Sequence, residues 1–194
     1  LAVLLVLTMA LGVLASCGGG NNDDGGNGDN TPKVIVVGYT IYAPMNYMDG
    51  DELVGFDTDL AKAVFEGMGY KVRFQEIDWN EKYTDLESGN IDCVWNGFTC
   101  NTADDDGVMR ADKVDFSYNY MENRQVVVVK ADSGITSAAD LAGKKGGAEK
   151  GSAGETYAAT FEGTTIKTVT KQTDCLMEVK SGNLDFAVFD AQLA

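Results

Sequence analysis

The chain has 194 residues, 44% hydrophobic and 23% charged, which is enough for one or two domains with real cores. A net charge of −15, with no basic stripe anywhere, argues against a nucleic-acid or anionic-membrane-surface partner. The absence of histidine removes Ser/His/Asp and Cys/His nucleophiles and the commonest metal ligand, so no metal or cofactor is expected and any chemistry would rest on carboxylates, lysine or cysteine.

Residues 1–13, LAVLLVLTMALGV, are a nearly uniform apolar run, too short for a membrane span, and 1–16 reads as the end of a secretory signal. LASC at 14–17 resembles a lipobox, which would make Cys17 a lipidated first residue and anchor the chain to the outer face of a membrane. The Gly/Asn/Asp composition of 18–31 cannot bury apolar surface and reads as a disordered tether of ~20 Å, so that 17–32 is the cysteine and its tether. The chain opens on Leu with no basic stretch before the apolar run, and it stops directly after a strand pattern, so it reads as truncated at both ends. Cys93, Cys100 and Cys175 form no paired metal motif. Cys93 reads as a small buried hydrophobe, and a Cys93–Cys100 bridge stays open.

KVIVVGY at 33–39 reads as a buried strand, followed by a turn-rich, aromatic segment to Gly55. Asp57 is placed to cap a helix in which Leu60, Val64 and Met68 share a face and Gly69 closes the end. KVRFQE at 71–76 is the next strand, and strand–helix–strand implies a right-handed parallel unit. A helix over about 80–88 then leads into the strand IDCVW. QVVVVK at 125–130 is a β-branched run that starts a second set of elements. A short helix near SAADLAG, a glycine-rich strand and turn KKGGAEKGSAGE, a helix near 154–161, the strand TIKTV, a helix near 172–180 and the strand LDFAVF follow. SGNIDCVWN at 88–96 and SGNLDFAVFD at 181–190 repeat one phrase, helix then glycine stop then buried strand ending on a polar residue. The repeat suggests two related α/β lobes, with Asn96 and Asp190 facing one cleft beyond the strand ends, while the plainer reading is that helix–SGN–strand is common α/β punctuation.

YTIYAPMNY with ELVGFDTDLAKAV, SGNIDCVWNGFT, KVDFSYNYM before QVVVV, LAGKKGGAEKGSAGE and SGNLDFAVFDAQLA, in that order, resemble the extracellular solute-binding proteins of ABC importers, specifically the polar amino-acid-binding family. The resemblance runs from about Lys33 to Ala194. It implies a two-lobed α/β clamshell, each lobe a mostly parallel sheet flanked by helices, with lobe one over 33–121, a hinge crossing over 122–126 and lobe two over 127–194. It also implies a monomer that captures a polar amino acid outside the cell and delivers it to a membrane permease, without chemistry.

An amino-acid zwitterion needs a forked cation or backbone donors for its carboxylate and an acceptor for its ammonium. The resemblance assigns Asp190 to the ammonium, with Asn96, Gly97 and Thr99 supplying carbonyls and a hydroxyl. It assigns Arg110 and Ser152 to the carboxylate, and Tyr42 and Trp79 to the side chain. Each has a plainer reading: a helix cap for Asp190 and Ser152, a solvated loop for Arg110 beside Asp104, Asp105 and Asp106, a turn for Gly97, core packing for the aromatics. CNTADDDGVMR carries more residues before Arg110 than the family pattern, which leaves its place open. Two other functions stand beside capture. One is an enzyme resembling the cyclohexadienyl dehydratases, with Glu149 and Asp190 as acid and base; the other is the sensory ectodomain of a larger receptor.

Overall fold

A computed structural model describes residues 32–194, and the readings of 1–31, including the signal, Cys17 and nearly all of the tether, lie outside the described residues. Strand β1 (Val34–Tyr39) pairs in parallel with β4 (Lys71–Glu76) and with β5 (Cys93–Val94), giving the order β4-β1-β5. Between β1 and β4 lie an antiparallel hairpin, β2 (Tyr47–Asp49) and β3 (Glu52–Val54), and the helix α1 (Phe56–Gly67). Gly69 closes α1 at φ 85, as its place after Met68 leads one to expect. A 3-10 turn at Trp79–Glu81, capped by the Asp78 carboxylate on the Asn80 N–H, feeds α2 (Lys82–Glu87).

The second sheet has the order β6-β9-β7-β8, built from β6 (Gln125–Val129), β7 (Lys145–Glu149), β8 (Thr165–Val169) and β9 (Phe186–Asp190). β7 runs parallel to β8 and β9, while β6 runs antiparallel to β9. Every residue of β9 is buried, because both faces of the strand are covered. Phe186 and Val188 pack on one side with Leu141, Ala148 and Ala158, and Ala187 and Phe189 pack on the other with Cys175, Val179 and Leu184. Each fully buried Phe or Val contributes roughly 1.5–3 kcal/mol, so this alternation anchors the sheet. It also explains the Gly-Gly of β7: a Cβ at Gly146 would stand 2.2 Å from the Phe186 ring, and one at Gly147 2.4 Å from Leu184. Helices α3 (Ala153–Ala158) and α4 (Gln172–Ser181) flank this sheet.

Four local expectations are corrected. Asp57 is not the cap of α1; Gly55, at φ 127, takes that position, and Asp57 lies in the first turn with its N–H on the Met45 carbonyl. A side chain at Gly55 would strike the Met45 carbonyl at 2.2 Å, so an aspartate could not take the turn there. The turn-rich segment after β1 contains the hairpin β2–β3. Helix α3 stops at Ala158, and the SAADLAG helix is a 3-10 turn, Ala138–Leu141. Cys93, Cys100 and Cys175 are all free thiols. Burial pushes Cys93 up to about 11 and Cys175 up to about 12, leaving both unreactive.

Candidate functional site

The carboxyl ends of β1 and β5 meet at Asn96. Its side-chain carbonyl accepts from the Thr40 N–H at 3.3 Å and from Asn46 at 3.0 Å, and its amide donates to the Thr40 hydroxyl at 2.9 Å. The buried Asn46 in turn accepts from Thr58 at 2.8 Å. The Asn96 side chain is therefore a strut that ties the strand ends to α1. The Asn96 backbone carbonyl accepts from the Phe98 N–H at 2.6 Å, folding 96–98 into a tight turn. Gly97 lies against Tyr42, where a Cβ would come within 3.0 Å of the ring. Tyr42, Asn96, Gly97 and Thr99 line one cavity of about 990 Å³ together with Asn123 and Gln192. Within this group the Thr99 hydroxyl is buried without a partner.

Arg110 is not a solvated loop residue; it is 1% exposed. The extra residues before it fold back through a bridge between Ala103 and Met109, which carries Asp104 onto the guanidinium. Nε donates to Asp104 at 2.8 Å, Nη1 to the Thr99 carbonyl at 3.3 Å and Nη2 to the Gly151 carbonyl at 3.0 Å. Asp104 also accepts from the Tyr83 hydroxyl at 2.7 Å and from Lys113 at 3.0 Å. Burial pushes the Asp104 carboxyl up, but hydrogen bonds from Tyr83, Arg110 and Lys113 outweigh it and hold the group down at about 2. Three of the five guanidinium N–H groups are used, leaving one on each terminal nitrogen.

Across the cleft, Ser152 caps α3 by accepting from the Glu155 N–H at 3.1 Å, so its hydroxyl proton remains available. Trp79 reaches over from the first sheet and donates Nε1 to the Gly151 carbonyl at 3.1 Å, with its ring edge-on to Phe98 at 5.0 Å. Trp79, Arg110 and Ser152 thus gather around Gly151, while Tyr42 lies nearer Asp190, its hydroxyl donating to Gln192 at 3.2 Å. Burial first and the Asp190 charge second raise the Tyr42 hydroxyl far above its ordinary range, keeping it a donor.

Asp190, 5% exposed at the end of β9, does not cap a following helix. Its carboxylate accepts from the side-chain amides of Asn123, Gln125 (2.6 Å) and Gln172 (2.9 Å), and the Asp190 N–H returns to Gln172 at 3.2 Å. The carbonyl oxygens of Asn123 and Gln125 are buried without partners beside it. Glu149, 3% exposed at the end of β7, lies close enough for the Asp190 charge to act on it; burial, the larger effect, pushes it up to about 8 against a hydrogen bond from Gln172. One side of the cleft collects cationic donors, and the other collects oxygens.

Residues 34–188 match the model of the bacterial extracellular solute-binding proteins, family 3. The chain belongs to this family. The solute-binding protein is 33% identical to the arginine-binding extracellular protein ArtP of Bacillus subtilis, over 91% of this chain and 67% of that one. A solved substrate-binding protein of an ABC uptake transporter from Streptococcus pneumoniae, with bound histidine, superposes with a TM-score of 0.73 at 36% identity, covering 82% of this chain and 67% of the other. The ancestral amino-acid-binding protein AncCDT-1, a precursor of cyclohexadienyl dehydratase, gives 0.75 at 32% identity over 83% and 71%. The chain is an extracytoplasmic solute-binding protein with a periplasmic-binding-protein-like α/β fold of two helix-flanked sheets, and among its described residues no helix is long and apolar enough to cross a membrane.

The sequence reading missed Asn123, Gln125 and Gln172 around Asp190, and Asp104 and Lys82 around Arg110. Their only signal was polarity next to a strand end or within a charged loop, which is also what solvated residues show.

Proposed function

We propose that the protein captures a polar amino acid outside the cell as a zwitterion and hands it to the membrane permease of an ABC importer. One observation carries the reading: a buried arginine on the Gly151 carbonyl and a buried aspartate beside Glu149, 1% and 5% exposed, lie near the same end of β7. Arg110, through its two remaining N–H groups, and the Ser152 hydroxyl take the carboxylate. Asp190, with the Thr99 hydroxyl and the backbone of Asn96 and Gly97, takes the ammonium, and Tyr42 and Trp79 flank the side chain. Relatives that bind arginine and histidine make those the first candidates. Lobes over 33–121 and 127–194 close on the ligand about the crossing at 122–126. A lipid on Cys17 holds the monomer at the outer face of the membrane, which partitioning of the full chain into detergent would test.

A thermal-shift screen against the common amino acids tests capture. A ligand that binds only the folded state raises its stability by roughly 2.7 kcal/mol at a hundred times its dissociation constant. A rise with one or a few polar amino acids is expected. If none stabilises the chain while it remains folded, capture is wrong and a sensory role for cyclic acids or peptides takes its place.

A further inference from the structure

Three donors from the first sheet's side of the cleft converge on a single acceptor. Trp79 Nε1, Lys82 Nζ and Arg110 Nη2 lie 3.1, 3.4 and 3.0 Å from the carbonyl oxygen of Gly151. That oxygen has two lone pairs and no net charge, so it satisfies the three donors poorly. Arg110 has Asp104 as its anion, whereas Lys82 is bonded to none. Lys82 is 2% exposed at the start of α2, and its ammonium donates only to the carbonyls of Trp79 (3.2 Å) and Gly151. Its head rests against the rings of Tyr83, Trp79 and Phe98, at 4.7, 4.8 and 5.8 Å from their centroids. An aromatic cage partly compensates a buried ammonium. It does not replace a bonded anion: Asp104 and Glu149 act on the ammonium only from a distance, and burial, the larger effect, still pulls its pKa down to about 8.

Three rings also fix where the ammonium points. A lysine that only needed a place to rest would extend to solvent along its flexible stem. Here the cage aims it across the cleft at Gly151, beside the two N–H groups that Arg110 leaves free. We infer that Lys82 is a second cation of the carboxylate site, held by Trp79, Tyr83 and Phe98 so that its remaining N–H meets an oxygen of the bound amino acid's α-carboxylate. A carboxylate has about four acceptor sites and a full charge, which suits the donor surplus that one carbonyl leaves. The inference rests on the amino-acid reading above and adds a residue to it.

The test is calorimetric titration of the wild-type chain, Lys82→Met and Lys82→Arg with arginine and with histidine, each beside its α-carboxamide. Met keeps the stem's volume inside the cage, and Arg keeps the charge, so melting temperatures separate folding from binding. Lys82→Met is expected to weaken the free amino acid about tenfold or more, to leave the carboxamide nearly unchanged, and to be partly rescued by Lys82→Arg. Equal weakening of acid and carboxamide would make Lys82 a latch between the lobes and overturn the inference. No change in either would overturn it as well. A wild-type chain that binds no amino acid in the screen would instead remove the reading on which it rests.

Discussion

Arg110 and Asp190 are equally buried, yet they are held by groups of different kinds. Arg110 has one charged partner, Asp104, which Lys113 also binds, beside the neutral carbonyls of Thr99 and Gly151, the second shared with Lys82. Around Asp190 the hydrogen-bond partners are neutral amides from Asn123, Gln125 and Gln172. Amides steady a carboxylate without cancelling its charge, so Asp190 keeps its full attraction for an incoming ammonium. Arg110 spends one edge on Asp104 and offers a ligand only its remaining terminal N–H groups. In the proposed site, the aspartate pole should therefore be the stronger determinant of affinity, and the arginine pole the stronger determinant of orientation.

Removing the charge at the stronger pole should have the largest effect. Asp190→Asn is expected to weaken amino-acid binding about a hundredfold or more, because the ligand ammonium would be buried against a neutral amide. The three surrounding amides would keep a partner, so melting temperature should fall only slightly. A titration with unchanged affinity would take Asp190 out of the site.

At the other pole Arg110→Lys should cost less, about tenfold, since the charge remains but the fork that reaches Thr99, Gly151 and the ligand is lost. The loss should be steeper for ligands whose carboxylate is extended by a methylene, because orientation and not charge has been removed. A uniform loss across such ligands would show that charge alone governs this pole.

The smallest effect concerns Glu149, the second acid beside Asp190, and it appears in stability rather than binding. Its folded pKa, raised by burial to about 8, lies above the ordinary 4.5. The folded protein therefore keeps a proton that the unfolded chain releases, and stability falls as pH rises from 4.5 to about 8, then stays low. Glu149→Gln removes that loss. The variant should melt with the wild type near pH 4.5 and above it at pH 8–9, by several degrees if each kcal/mol moves a chain of this size ~2–4 °C. A difference that does not vary with pH would contradict the buried-acid explanation.

The scaffold was far more legible in the sequence than the partners within the site. β1, β6, β8 and β9 announce themselves because apolar or β-branched runs suit strands, and the SGN phrase marks where α2 and α4 hand over to β5 and β9. The hairpin β2–β3 was missed because Tyr47, Met48 and Glu52 are exposed, so no alternation shows which face is buried. Asp57 was misplaced because an aspartate before an apolar run reads as a cap, whereas the backbone needs Gly55 at the turn. Lys82, between Glu81 and Tyr83, carries no signal of burial in its sequence surroundings. Its burial comes from Gly151, 69 residues away, and from rings that only the fold brings together. For Arg110, only the folded loop decides that Asp104 turns inward and carries the arginine with it.

The most direct measurement is a calorimetric comparison of one amino acid that stabilises the chain with two analogues, its α-carboxamide and the form lacking the α-amino group. If the cleft reads a zwitterion between two buried charges, both analogues should bind about a hundredfold or more weaker, roughly 2.7 kcal/mol each. An analogue that binds as tightly as the amino acid would contradict the two-pole site.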